Sequence, residues 1–213
     1  MIKLRHLGCI TALLALSACQ TVPTASVQPT DVRPVAGLYT SALDPKLDTP
    51  ALKLQADAGN PSAQNELGRR YGTGDRASKD SELSFKYYSL SAAQGLAIGQ
   101  CNLAFMYMNG EGTAKDTAKA VEWNEKCARQ GHFMGQYALG YMYATGQGLP
   151  KNGPLAEQWF LLAANQGYVS AQRALMHMYE TGDGIPRDTQ KAVLWLHRVR
   201  DASLFGKAWK QEQ

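Results

Sequence analysis

Between residues 60 and 203 the apolar residues fall in short stripes with helical spacing that recur down the chain. In GQCNLAFMYMN (99–109), Leu103, Met106 and Tyr107 stand at i, i+3 and i+4, one face of a helix. In DTAKAVEWNEKCARQ (116–130), Ala120, Trp123, Cys127 and Gln130 share a stripe, with Lys119, Glu122, Glu125 and Lys126 outside it. Asp116 stands where an N-cap acceptor is wanted, and Gly131 where a helix stops. Asp80, Asn152 and Asp188 hold the same cap position elsewhere. The pattern predicts pairs of helices, A and B, joined by glycine-containing loops.

The pairs keep one register. Gln64, Gln100, Gln136 and Gln172 are spaced by 36 residues, as are Leu67, Leu103, Leu139 and Leu175, and Tyr71, Tyr107, Tyr143 and Tyr179. Tyr87, Trp123, Trp159 and Trp195 form another such column, and Gly95, Gly131 and Gly167 close three units. A fixed period of this size means a solenoid, because one helix pair cannot bury both its faces and has to stack on the next. The units run at about 60–95, 96–131, 132–167 and 168–203. Residues 48–59 read as the closing helix of an absent earlier unit, an N-terminal capping half-repeat. Residues 204–213, with Leu204, Phe205 and Trp209, read as a final capping helix. The columns of Leu, Tyr and Trp are assigned to the core.

The loop YMNGEGTAKD (107–116) has the look of a phosphate cradle, but a Walker-type loop needs G-x-x-x-x-G-K-[ST] after a strand. Here the loop recurs as TGDRASKD, TGQGLPKN and TGDGIPRD, each time between two predicted helices. It is a connector.

The N-terminus changes the picture of where the domain sits. MIKLRHLGCITALLALSACQT has a short basic region and an apolar run from Leu7 to Leu16, too short to span a bilayer and suited to a signal peptide. Leu16-Ser17-Ala18-Cys19 resembles the lipobox of bacterial lipoproteins, which implies cleavage after residue 18 and lipid on Cys19. Gln20, rather than Asp, implies export to the outer membrane by the same resemblance. Residues 19–47, with Pro23, Pro29, Pro34 and Pro45 and no helical or strand period, read as a tether reaching roughly 30 Å as a flexible coil. The expected location is the cell envelope, on the periplasmic side of the outer membrane.

Composition mainly excludes. The formal charge is +4, and loss of Lys3 and Arg5 with the signal peptide leaves 20 basic against 18 acidic residues. That balance lacks the concentrated basic surface of a nucleic-acid binder. His132, His177 and His197 follow no metal-ligand spacing, and the cysteines form no C-x-x-C. No G-x-S-x-G elbow or H-E-x-x-H helix is present. No catalytic residue, metal or cofactor is assigned.

The pattern A/G-Q-x-x-L-G-x-M-Y-x-x-G-x-G-x-x-K-D, followed by K-A-x-x-W and A-A-x-Q-G, resembles the Sel1-like repeat family, relatives of the tetratricopeptide repeat, over residues 61–202. Unit one departs from it at Arg70, in place of the usual Met, and at Arg76, in place of the second loop glycine; the second departure puts that loop's geometry in question. The resemblance implies an all-α, right-handed α-solenoid of antiparallel helix pairs, and an adaptor role toward proteins or envelope components. By analogy with tetratricopeptide grooves, Arg69, Thr73, Phe105, Asn109, Tyr137, Tyr141, Arg173 and His177 are the candidate partner-binding face. A cysteine-rich bacterial branch of the family staples its units with cysteine pairs. Cys101 and Cys127 are each displaced by one residue from those positions, so the resemblance implies either a bridge between them or two buried thiols.

The resulting expectation is a lipid-anchored, non-enzymatic scaffold whose partner is another protein. Two other readings stand beside it at this point: a peptidoglycan or glycan reader, and an envelope hydrolase with an unrecognised site.

Overall fold

The computed structural model describes residues 28–31, 43 and 47–211, with side chains to residue 201. The expected signal peptide and the lipidation expected at Cys19 fall outside the described residues. Within them the fold is all-α, with no strand. A 3-10 turn at Pro29–Asp31 precedes α1 (Thr49–Asp57), α2 (Pro61–Thr73), α3 (Ser81–Ala93), α4 (Ala97–Asn109), α5 (Thr117–Arg129), α6 (Phe133–Thr145), α7 (Gly153–Asn165), α8 (Val169–Thr181) and α9 (Thr189–Gln211). Each helix packs on its neighbours in the chain. The A helices also touch one another, α2 on α4 and α4 on α6, which the B helices do not do to the same extent, so the A side is the inner curve.

The local signals act as expected. Asp80, Asp116, Asn152 and Asp188 each accept a hydrogen bond from the backbone N–H three residues on, at 2.9–3.0 Å, starting α3, α5, α7 and α9. Leu67, Leu139 and Leu175 are within 1% of complete burial and Leu103 is at 2%, the spine of the stack. Tyr143, Tyr179, Tyr87, Trp159 and Trp195 are buried with them. Trp123, Tyr71 and Tyr107 are only half-buried, and the Lys126 ammonium sits 3.9 Å from the Trp123 ring centre.

The second loop glycine has a packing reason as well as a conformational one. Gly112 has φ 66°, and a Cβ there would lie 2.0 Å from the Ser81 carbonyl oxygen, in the first turn of the preceding unit's B helix. Arg76 keeps the same left-handed backbone, φ 58°, so the unit-one loop retains its geometry. Its side chain is accommodated because α1 begins at Thr49, four residues later than the step of 36 from Ser81 would place it. The first turn that Gly112 meets has no counterpart there among the described residues. Thr49 instead donates its hydroxyl to the Arg76 carbonyl at 2.8 Å.

Arg70 is the other departure, and it seals the open end. It replaces the column residue Met106, Met142 or Met178 and is 2% exposed. Its guanidinium donates to the Leu47 carbonyl at 2.8 Å, the Thr49 hydroxyl at 3.1 Å and the Glu66 carboxylate at 2.9 Å. A buried charge has to be fully partnered, and this one binds α1 to α2.

Two expectations change. The segment expected to be a free tether touches the solenoid: Pro29–Asp31 lies against α7, and Leu43 and Leu47 pack on the cluster of Leu52, Ala56, Ala63, Leu67 and Tyr87. The last segment is no separate capping helix either. Helix α9 continues without a break to Gln211, because Ser203 stands in the column where Gly95, Gly131 and Gly167 stop the other B helices.

A candidate docking groove between α4 and α6

On the inner curve a hollow of about 400 Å³ opens between α4 and α6. Its walls are Phe105 and Met108 from α4, and Met134, Tyr137 and Tyr141 from α6, with Tyr168 at one end and Cys101 and Ala104 also lining it. None of its lining residues is charged. Phe105 is 57% exposed and Tyr141 47%, whereas Tyr137 is half-buried, held against Phe160 and Tyr168 with ring centres 5.6 and 5.2 Å away. Burial, with Tyr168 and Tyr141 nearby, raises the pKa of the Tyr137 hydroxyl, so it is a neutral donor at pH 7.

Phe105, Tyr137 and Tyr141 are thus the three sequence candidates that the fold brings together. The others are placed differently. Arg69 is engaged by Glu66 through two hydrogen bonds at 2.7 and 2.8 Å and by Asp75 at 2.8 Å. The Thr73 hydroxyl donates to the Arg69 carbonyl at 2.9 Å, and the Asn109 amide to the Phe105 carbonyl at 3.1 Å. Arg173 and His177 are exposed on α8, outside the hollow.

Beneath the groove, Cys101 and Cys127 form a disulfide with Cα atoms 5.6 Å apart, joining α4 to α5. Of the two expectations for these cysteines, the bridge is the one found. Both are at most 4% exposed. His132 lies against them, 2% exposed, its Nδ1 3.9 Å from Cys101 Sγ. That nitrogen accepts the Met134 N–H at 3.2 Å and caps α6. Burial holds the imidazole pKa down to about 4, so the ring is neutral at pH 7. Linear spacing hides this neighbourhood, since the histidine is 31 residues from Cys101 and belongs to the next unit.

A second feature missed at the level of spacing is a glutamine clamp. Gln94, Gln130 and Gln166, at the B-helix C-caps, donate to Gln64, Gln100 and Gln136 at 2.7–2.8 Å. Gln130 and Gln166 also reach the Gly95 and Gly131 carbonyls of the preceding unit, at 2.8 and 2.9 Å. In the last unit the donor column holds Ala202, and the buried Gln172 Oε1 has no partner among the described residues.

The Sel1 repeat family model matches residues 61–96, 97–132, 134–168 and 169–199, in register with the four helix pairs. The chain belongs to the Sel1 repeat family. A protective antigen of uropathogenic Escherichia coli strains, displaying an SLR fold, is similar to this Sel1 repeat chain at 36% identity with a TM-score of 0.69, over 73% of this chain and 33% of that one. A Sel1 repeat protein from Oxalobacter formigenes is similar at 30% identity and a TM-score of 0.66, over 73% of this chain and 61% of that one. The chain therefore spans less than two thirds of either protein. No curated protein matches it. Sel1 repeats generally mediate protein–protein interaction and are typically non-catalytic.

Proposed function

We propose that this Sel1 repeat protein is a non-enzymatic scaffold that captures an apolar or aromatic side chain of a partner protein in the α4–α6 groove. The observation that carries this reading is an uncharged hollow of about 400 Å³ flanked by the exposed rings of Phe105 and Tyr141. Large aromatics that remain exposed beside a pre-formed apolar pocket are the usual anchors of interfaces. The resemblance of Leu16-Ser17-Ala18-Cys19 to a lipobox supports the accompanying reading of a scaffold held by lipid on Cys19 at the periplasmic side of an outer membrane.

The test is photocrosslinking in intact cells from a benzophenone side chain placed at Met108, followed by mass spectrometry, in wild type and in the Phe105→Ala, Tyr141→Ala double variant. A protein adduct that disappears in the double variant supports the scaffold. Retention of purified wild type on isolated sacculi, lost in the double variant and without a protein adduct, replaces it with a glycan reader. Turnover of an envelope substrate would place the chain among hydrolases instead. Cys19→Ser should move the protein out of the membrane fraction, and continued membrane association would refute the anchor.

A further inference from the structure

Cys101, Cys127 and His132 each present one donor atom within 4.8 Å of the other two, and all three are buried. A disulfide accounts for two of these residues; the third, His132, stacks on Phe133 with ring centres 4.8 Å apart, which does not single out a histidine. Its cap role does not explain the choice either. In the same column Asn60 caps α2 with two backbone donors, at 2.9 and 3.1 Å, and Leu96 and Tyr168 start α4 and α8 with no side-chain cap at all. The cysteine columns hold Asn65, Tyr137 and Arg173, and Ser91, Ala163 and Val199, in the other units. Among the described residues, the junction of units two and three is the one that collects two sulfurs and an imidazole.

We propose that this cluster is a Zn2+ site in the chain whose Cys101–Cys127 bridge has been reduced. The step balances. A dithiol reductant gives two electrons and two protons to the disulfide and is itself oxidised to a disulfide; Zn2+ then binds both sulfurs as thiolates and releases the two protons. Zinc bonds sulfur at about 2.3 Å and imidazole nitrogen at about 2.0 Å, so tetrahedral donors stand roughly 3.5–3.8 Å apart. Cys101 Sγ and His132 Nδ1 already stand 3.9 Å apart, while the two freed sulfurs have to part from bonding distance to about 3.8 Å by rotation of their side chains. Nδ1 gives up its bond to the Met134 N–H in exchange for the metal.

Charge selects a divalent ion. Two thiolates and a neutral imidazole around Zn2+ sum to zero, which suits a place with no charged residue in the adjoining groove. Copper(I) on the same ligands would leave a net negative charge buried. Cys101 lines the groove, which gives an ion a route to the cluster.

The experiment uses the full chain, reduced with a phosphine under argon, desalted, and titrated with Co2+ and then with Zn2+ against a chromogenic chelator. The expected result is one ion per reduced chain, a thiolate-to-cobalt charge-transfer band with the visible bands of a tetrahedral ion, and no binding by the oxidised chain. His132→Asn preserves the cap in the manner of Asn60. Because it removes a ligand, it should weaken binding by at least the roughly 10–100-fold that loss of an outer partner costs. Circular dichroism of the reduced chain, before and after metal, reports whether the fold persists. Absence of binding by the reduced chain overturns the proposal. So does equal binding by the oxidised chain, which would place the ion elsewhere, or equal binding by His132→Asn, which would mean two loose thiolates suffice.

Discussion

Replacing Gly112 by Ala separates what a loop glycine supplies through backbone freedom from what it supplies through space. At Gly112, φ is 66° and the added Cβ would lie 2.0 Å from the Ser81 carbonyl oxygen and 2.5 Å from its carbon. At Gly95, φ is 86°, yet nothing lies within 4 Å of an added Cβ. Both substitutions incur the left-handed penalty of an L-residue, about 1–2 kcal/mol. Gly112→Ala must also push the loop off the start of α3, a backbone displacement on the scale of overpacking, about 1–3 kcal/mol. The expected losses are therefore about 2–5 kcal/mol at Gly112 and about 1–2 kcal/mol at Gly95. Urea unfolding followed by far-ultraviolet circular dichroism measures both as midpoint shifts at constant m. Equal losses at the two sites, within about 0.5 kcal/mol, would refute the claim that the loop is locked against the preceding helix.

Other outcomes follow from the same geometry. The His132 pKa lies near 4 in the fold against about 6.5 unfolded, so the unfolded chain protonates first as pH falls; this contribution is whole above about 6.5 and is lost toward 4. Urea titrations at pH 7 and 4.5 should show His132→Asn reducing the wild-type acid loss by about 2–3 kcal/mol. Arg70→Met restores the column residue but leaves the Leu47 carbonyl without its Arg70 donor, while Glu66 keeps Arg69; it should cost about 1–3 kcal/mol and accelerate hydrogen exchange in α1 and not in α8. Replacing both Cys101 and Cys127 by Ala opens a link across 26 residues and should cost about 3.5 kcal/mol on the chain-entropy model, measured in the same way.

The solenoid was legible because burial repeats: each unit presents the same Leu, Tyr and aromatic columns to its neighbour, so chance matches at one position are outvoted by the others. Caps such as Asp116 were legible because their bonds are local, three residues long. The groove was legible in part. The analogy with tetratricopeptide grooves put Phe105 and Tyr141 on the binding face, but the ion pairs that occupy Arg69, and the turn of Thr73 and Asn109 onto their own helix, depend on rotamers that neither the analogy nor spacing encodes. The His132 neighbourhood was hidden for another reason. It joins the end of one unit to the start of the next, where no ligand spacing within a single unit marks it. Arg70 and Arg76 look like damage to a repeat. They are adaptations to an end where the preceding helix starts late.

The position of the hollow has a cause in the same departures. The column occupied by Cys101 holds Asn65 in unit one and Tyr137 in unit three. At the first junction, Asn65 accepts from the Asn102 amide at 2.9 Å, closing α2 against α4 with a hydrogen bond. At the third, the Tyr137 ring fills the column and packs on Phe160 and Tyr168. Only at the second does a short side chain stand there, drawn toward α5 by its bond to Cys127, with Ala104 one turn on. The space that a tyrosine occupies in the next unit is left open beneath Phe105. One residue choice therefore does two things: Cys101 fastens α4 to α5 and, by being small, leaves α4 hollow on the side facing α6. A partner that fits the groove meets a pocket formed before binding, which lowers the ordering cost of association.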